Sequence, residues 1–132
     1  AARFVRETGV DLLAPAVGNI HGVLARTDAD GTRTYTDQKL NIERIREIKK
    51  AAGVPLVLHG ASGNTDEDLK AAIEAGVSII HISTEIRIAW REGLEKSLRE
   101  QPDEVTPYKL LSEAEKKIYE IVLAKLKLFS GQ

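Results

Sequence analysis

The chain has 132 residues, which is enough for one domain or part of one. It carries 19 basic and 20 acidic residues, and the formal net charge of −1 gives no indication of a nucleic-acid or membrane-surface partner. It has no cysteine, which excludes disulfides and thiolate ligands, so any transition metal must be bound by histidine and carboxylate. The absence of cysteine fits a cytoplasmic protein, which is what we expect. No apolar run approaches the roughly 18 residues of a membrane span.

The first 40 residues predict a helix, a strand and a loop. Residues 1–8 have helical spacing and are followed by Gly9, which is placed to end the helix. Residues 10–17 are apolar with one proline and predict a first strand, which breaks at the segment Gly18-Asn19-Ile20-His21-Gly22. Residues 23–38 are polar and turn-prone, and they predict a surface loop.

The middle of the chain predicts a capped helix and a buried strand. Asn41 is placed to cap a helix that runs to Ala52 and stops at Gly53. The apolar run of residues 56–58 has the length and composition of a strand buried on both faces. It changes at once into the turn His59-Gly60-Ala61-Ser62-Gly63, which combines an imidazole with backbone N–H groups that can meet an anion.

The remainder predicts one more strand between helices. Thr65 is placed to cap a helix that Gly76 closes, and residues 77–82 predict a third apolar strand. Ser83-Thr84-Glu85 then opens a long helix. After a linker between Pro102 and Pro107, residues 112–115 have the pattern of a capping box for the last amphipathic helix.

Strands that alternate with helices in this order imply an α/β fold with a parallel sheet. Three strands fit either a corner of a doubly wound sheet or a sector of a (β/α)8 barrel. The barrel is favoured because all three strands end on one side in turns rich in Gly, His, Ser and Thr, which is where barrels place their chemistry. We therefore predict that residues 1–101 are the last three β/α units of a TIM barrel, and that residues 102–132 are a linker and a terminal helix.

The three turns place chemically useful groups at one end of the predicted sheet. Adjacent strands lie about 5 Å apart, so imidazoles at equivalent strand ends can meet one metal ion. A catalytic zinc ion takes three protein ligands, and His21 and His59 are the two good candidates in the chain. The turn of residues 60–63, together with Ser83 and Thr84 at a helix start, offers N–H and hydroxyl donors to a phosphate.

Four segments carry a resemblance to a known family. They are T-G-V-D-L-L-A-P-A-V-G-N-I-H-G at residues 8–22, P-L-V-L-H-G-A-S-G at 55–63, S-T-E at 83–85 and K-L-K-L-F-S-G at 125–131. In these segments the chain resembles the C-terminal half of the zinc-dependent class II aldolases that act on fructose or tagatose 1,6-bisphosphate. Because methionine is absent and a helical pattern begins at the first residues, we expect a fragment.

The resemblance implies a role for each matched position. His21 and His59 match two zinc ligands. The positions that match the surroundings of the substrate phosphate and the metal are Gly22, Gly60, Ser62, Ser83 and Thr84. In this family zinc polarises the C2 carbonyl of dihydroxyacetone phosphate during aldol cleavage, a lyase reaction of glycolysis and related carbohydrate metabolism. The resemblance also implies a homodimer or other homo-oligomer and a small sugar bisphosphate as the substrate.

Two departures limit this interpretation. His81 stands where the family usually has an asparagine that contacts the substrate, so it is either a substrate contact or a packed strand residue, with a third metal ligand as a further alternative. The remaining histidine ligand and the proton-transferring aspartate of the family belong to its N-terminal half, so we do not expect these 132 residues to catalyse the reaction alone. Two alternatives therefore stay open: a diverged metal- and phosphate-binding barrel without aldolase activity, and a half-barrel that serves as a binding module.

Overall fold

The computed structural model describes residues 1–20, 25–27, 33–35 and 38–131. The chain forms two compact units, Ala1–Ile82 and Ser83–Gln132. Within the described residues, every helix is too short or too polar to cross a membrane.

The first unit contains three helices and four short strands in its described residues. In chain order they are α1 (Ala2–Thr8), β1 (Ala25–Thr27), β2 (Arg33–Tyr35), α2 (Ile42–Ala52), β3 (Leu56–Leu58), α3 (Asp66–Glu74) and β4 (Val77–Ile80).

The parallel strand β3 lies at the centre of this unit. It pairs in parallel with β4, and Leu56 also forms a parallel bridge with Leu13. All three residues of β3 are buried, and Ile45 of α2 and Leu69 of α3 are fully buried as well. Burial on both faces explains why this strand is a continuous apolar run instead of an alternating one. The parallel strands and the intervening helices confirm the α/β class.

Side-chain caps fix where α2 and α3 begin. The Asn41 side chain accepts a hydrogen bond from the Arg44 backbone N–H at 2.9 Å, and Thr65 accepts one from the Asp68 N–H at 3.1 Å. Gly53 ends α2 with a φ of 70°, a left-handed conformation that favours glycine. These ends agree with the sequence analysis and set the position of the turn that follows β3.

The predicted strand over residues 10–17 is wrong except at the single bridge of Leu13. Pro15 has no N–H to donate to a neighbouring strand. The N–H of Val17 donates to the side chain of Asn19 at 2.8 Å, and the carbonyl of Val17 accepts from the Asn41 N–H at 2.8 Å. Because these backbone groups bond elsewhere, they cannot extend the strand ladder.

Two smaller corrections concern the other strands. The predicted loop over residues 23–38 contains the antiparallel pair β1 and β2, in which Ala25 lies opposite Tyr35. Thr and Tyr are favoured in strands, and this preference prevails locally over the turn signals of the segment. The third predicted strand ends at Ile80 instead of Ile82, although the His81 N–H still donates to the Leu58 carbonyl at 3.0 Å.

The second unit is helical in its described residues: α4 (Thr84–Glu100), α5 (Pro107–Leu110) and α6 (Ser112–Ser130). Helices α4 and α6 approach closely where Gly93 of α4 lies against the backbone of Ala114. Three ion pairs cross between these helices: Lys96–Glu113 at 2.6 Å, Lys117–Glu92 at 3.0 Å and Lys125–Glu85 at 3.5 Å. Small buried residues at the contact, with charged pairs beside it, hold the two helices together.

Charge pairing shifts the pKa of several surface groups in this unit. The hydrogen bond from Lys96 lowers the pKa of Glu113, and the same bond raises the pKa of Lys96. Hydrogen bonds from Lys109 and then from Thr106 lower the pKa of Glu104 to about 2. These three groups are therefore charged at neutral pH.

The predicted capping box at residues 112–115 is wrong. Leu111 precedes α6 with φ −83° and ψ −11°, so the chain enters the helix already in a helical conformation. Ser112 is the first helical residue, and its hydroxyl donates to the Lys109 carbonyl at 3.0 Å instead of capping the new helix. The preceding short helix α5 accounts for this difference.

Candidate functional site

His59 stands at the carboxyl end of the buried strand β3. The strand residue before it, Leu58, is buried, whereas His59 itself is half-buried. The carbonyl of His59 accepts a hydrogen bond from the Asn19 side-chain amide at 2.8 Å. The backbone that carries this imidazole is fixed in two ways: β3 pairs with β4, and the His59 carbonyl is hydrogen-bonded to the Asn19 amide.

The turn after His59 depends on two glycines. Gly60 has a φ of 63° and Gly63 a φ of 89°, both in the left-handed region that favours glycine. Between them Ala61 and Ser62 are buried, and the Asn64 N–H donates to the Ala61 carbonyl at 3.2 Å. The turn is therefore packed into the first unit, with one positive-φ glycine directly after the histidine and the second at the end of the turn.

His81 lies beside His59. Their ring centroids are 4.6 Å apart, and the ring planes meet at 88°, an edge-to-face contact. His81 is exposed and follows β4, just as His59 follows β3. The parallel pairing thus brings two of the three histidines of the chain together at one end of the strands.

Gln38 is a buried amide that the sequence analysis did not select. It is 6% exposed. Its Oε1 accepts from the Ile20 N–H at 2.8 Å, and its Nε2 donates to the Ile20 carbonyl at 3.1 Å and to the Ser62 carbonyl at 3.4 Å. One side chain therefore contacts the backbone immediately before His21 and the backbone of the turn after His59.

Two further amides, Asn19 and Asn64, take part in the same network. Asn19 accepts from Val17 through Oδ1 and donates to His59 through Nδ2. Asn64, also buried, donates through Nδ2 to the Gln38 carbonyl at 3.1 Å. The sequence does show asparagines in or next to both histidine turns, which could have indicated this network. Their hydrogen-bond partners lie up to 40 positions away, however, and residue spacing does not predict them.

The predicted phosphate residues Ser83 and Thr84 lie at the start of α4 in the second unit. Ser83 occupies the N-cap position without a side-chain capping bond. Its hydroxyl instead accepts from the Arg87 guanidinium, at 3.1 Å from Nε and 2.7 Å from Nη2. Arg87, which the sequence pattern does not assign to the site, adds a positive charge at a helix N-terminus and so favours an anion there.

The proposed metal ligand set is described only in part. His21 and Gly22 lie outside the described residues. In the part of the chain that the structure describes, no three metal-ligating side chains lie close enough to hold a metal ion. His59 and His81 are neighbouring imidazoles, and imidazole nitrogen is a ligand that zinc accepts.

The structure thus defines an α/β protein with neighbouring histidines at the ends of two parallel strands. Comparison with known proteins then identifies it more closely: the sequence matches the family described as fructose-bisphosphate aldolase class-II over residues 1–132. The chain belongs to this family.

Individual relatives agree with this assignment. The chain is 35% identical over 127 residues to the "Probable fructose-bisphosphate aldolase" of Bacillus subtilis (strain 168), covering 96% of this chain and 41% of that protein. It is 39% identical over 129 residues to the "6-phospho-5-dehydro-2-deoxy-D-gluconate aldolase" of Shouchella clausii (strain KSM-K16), covering 98% of this chain and 41% of that protein.

A solved structure gives the same result. The crystal structure of the YdjI aldolase from Escherichia coli K12 matches with a TM-score of 0.70 at 37% identity, over 97% of this chain and 42% of that chain. The chain spans about two fifths of the length of the relatives it matches.

Proposed function

We propose that this chain is the C-terminal part of a (β/α)8 barrel that catalyses zinc-dependent aldol cleavage and condensation of a ketose 1,6-bisphosphate. The observation that carries the proposal is the histidine at the end of the buried strand β3, followed at once by a turn with two positive-φ glycines. Membership in an aldolase family agrees with it. In the proposed reaction dihydroxyacetone phosphate and an aldehyde phosphate are the cleavage products.

Two neighbouring imidazoles among the described residues support the proposal of a zinc site. His59 is half-buried on an anchored backbone, and its neighbour His81 adds a second nitrogen donor within reach of the same region. We assign the zinc ligands of this chain to His21 and His59, with the remaining ligand outside residues 1–132. When bound, zinc supplies Lewis-acid polarisation of the ketose carbonyl.

Two groups of backbone and hydroxyl donors are assigned to phosphate binding, and each is described within its own unit. In the first unit, Gly60 and Ser62 belong to a turn whose successive N–H groups can form an anion-binding concavity. Gly22, next to His21, is assigned to the same role from the sequence. In the second unit, Ser83 and Thr84 begin α4, where unpaired N–H groups and the helix dipole favour an anion.

Metal content and cleavage rate test the proposal. The variants His21→Ala and His59→Ala are prepared in the whole polypeptide that contains these residues, beside Glu43→Ala, which removes only an exposed ion pair with Arg46. We expect both histidine variants to lose stoichiometric zinc together with aldol cleavage, and the control to retain both. Full activity in the two histidine variants would end the proposal.

A second candidate function follows from the His59–His81 contact. A bulky imidazole 4.6 Å from the proposed ligand ring occupies space where the family usually has an amide. The protein would then be a diverged enzyme that keeps the metal and phosphate positions but has changed or lost the aldolase reaction. A large rise in the cleavage rate of His81→Asn would favour this candidate, and an unchanged rate would argue against it.

A further inference from the structure

We propose that Gln38 is a positioning residue that sets the spacing between the two histidine-bearing segments of the site. This inference rests on the proposed function, because it concerns the residues assigned to the metal. Its basis is the hydrogen bonding of one buried side chain to two backbone segments.

The Gln38 amide pairs with the peptide groups of Ile20 in both directions. Oε1 accepts from the Ile20 N–H at 2.8 Å, and Nε2 donates to the Ile20 carbonyl at 3.1 Å. A carboxamide carries both a donor and an acceptor, so it can satisfy the two backbone groups of one residue as a strand partner would. This pairing holds Ile20, which directly precedes His21 in the sequence.

The same amide reaches the second segment. Nε2 also donates to the Ser62 carbonyl at 3.4 Å, within the turn that begins at His59. The Gln38 backbone carbonyl accepts from the Asn64 side chain at 3.1 Å, so the turn is bonded to both ends of this residue. Gln38 therefore links the backbone before His21 to the backbone after His59.

Losing the Gln38 amide would release Ile20 from the turn. Gln38 is 6% exposed whereas Ile20 is 54% exposed, so after an apolar replacement the Ile20 backbone groups can bond to water instead. An intramolecular hydrogen bond is more stable than its replacement by water, so the wild-type side chain holds Ile20 beside the turn after His59 and the variant would not. We expect that release to weaken a zinc site that needs His59 together with the histidine that follows Ile20.

Residues that orient metal ligands from outside the ligand set usually contribute about 10–100-fold to metal affinity. Gln38 acts on the backbone beside the ligands, so we expect the lower end of that range. Gln38→Met keeps the length of the side chain but removes both hydrogen-bonding functions. Gln38→Glu keeps acceptor oxygens for the Ile20 N–H but, when ionised, cannot donate to the two carbonyls.

The experiment compares the zinc Kd of the wild type with that of Gln38→Met and Gln38→Glu, by competition with a chromophoric chelator in the whole polypeptide. Asn41→Ala is the matched control, because it removes the α2 cap three residues away and lowers stability without removing a side-chain bond to either histidine segment. Unfolding midpoints in urea are recorded for all four proteins, so that loss of affinity is separated from loss of stability.

We expect Gln38→Met to weaken zinc binding about 10-fold, Gln38→Glu to weaken it by a smaller factor, and Asn41→Ala to leave it within about twofold. Equal zinc affinity in the wild type and in either folded Gln38 variant would overturn the positioning role alone. Equal weakening by Asn41→Ala would overturn it too, since stability would then explain the effect. A wild-type protein that binds no zinc would overturn the proposed function, and the positioning role with it.

Discussion

Replacing Gly93 by alanine tests the closest helix contact in the second unit. A Cβ at this position would collide with the backbone of α6: it would lie 2.6 Å from the Ala114 nitrogen and 2.7 Å from the Glu113 carbonyl carbon. The Ala114 Cα would lie nearer still, and ordinary contacts of a Cβ begin at 3.4 Å, so relief requires a shift of more than about 0.8 Å. Backbone atoms cannot rotate away as a side chain can, and the two helices must therefore move apart.

The expected cost follows from two opposing terms. Overpacking a close contact costs about 1–3 kcal/mol, and an obstruction made of backbone favours the upper end. Alanine is about 1 kcal/mol better than glycine inside a helix, which offsets part of that cost. We expect Gly93→Ala to lower the free energy of unfolding by about 2 kcal/mol.

Urea unfolding followed by circular dichroism measures this loss. Ala124→Gly, at an exposed position of α6, calibrates the helix-propensity term in the same unit. The double variant Gly93→Ala/Ala114→Gly should not recover stability, because the obstructing nitrogen and carbonyl carbon remain after the Ala114 methyl group is removed. Stabilisation of about 1 kcal/mol by Gly93→Ala would match propensity alone and refute the close approach of the helices.

Three further substitutions give distinct results in the same assay. Gly18→Ala should lower the free energy of unfolding by at least about 1–2 kcal/mol, because φ at this residue is 101° and a Cβ would collide with the Lys39 carbonyl oxygen; an unchanged midpoint would contradict this. Ser97→Ala should raise the free energy of unfolding by about 1 kcal/mol, because the fully buried Ser97 hydroxyl has no hydrogen-bond partner among the described residues. A loss of stability would show that the hydroxyl is bonded. The hydrogen bond from Lys109 is the largest cause that lowers the pKa of Glu104 to about 2. The ionised Glu104 carboxylate therefore stabilises the folded state above pH 4.5, and this stabilisation is lost as the pH falls towards 2. Glu104→Gln should therefore destabilise the protein at pH 6 more than at pH 3, and an equal effect at both values would contradict the shift.

The sequence was most informative where structure depends on near neighbours. The α2 cap at Asn41 and the α3 cap at Thr65 need only a partner three residues ahead, and both were predicted. The strand β3 was predicted because burial on both faces leaves an uninterrupted apolar run. His59 was placed correctly at the end of that strand for the same reason.

Long-range hydrogen bonds were not predictable in this way. The first strand was expected from the apolar character of residues 10–17, but the bonds made by Asn19 and Asn41 remove the backbone groups that a ladder would need. The failed capping box at Ser112 has a related cause, because the preceding helix α5 decides the conformation at Leu111. In both cases the local pattern was present, and a partner outside the pattern determined the result.

The first correction bears directly on the candidate site. On the side of β3 away from β4, the chain that leads to His21 is joined to the sheet by the Leu13 bridge and then by the amides of Asn19 and Gln38. A strand ladder distributes its hydrogen bonds over many backbone groups, and a single substitution seldom shifts its register. Where a single amide side chain forms these hydrogen bonds, as Gln38 does, one substitution removes all of them. A mutation at Gln38 is therefore expected to release the Ile20 backbone from the turn after His59, while the β3 core, which has its own buried contacts, stays intact.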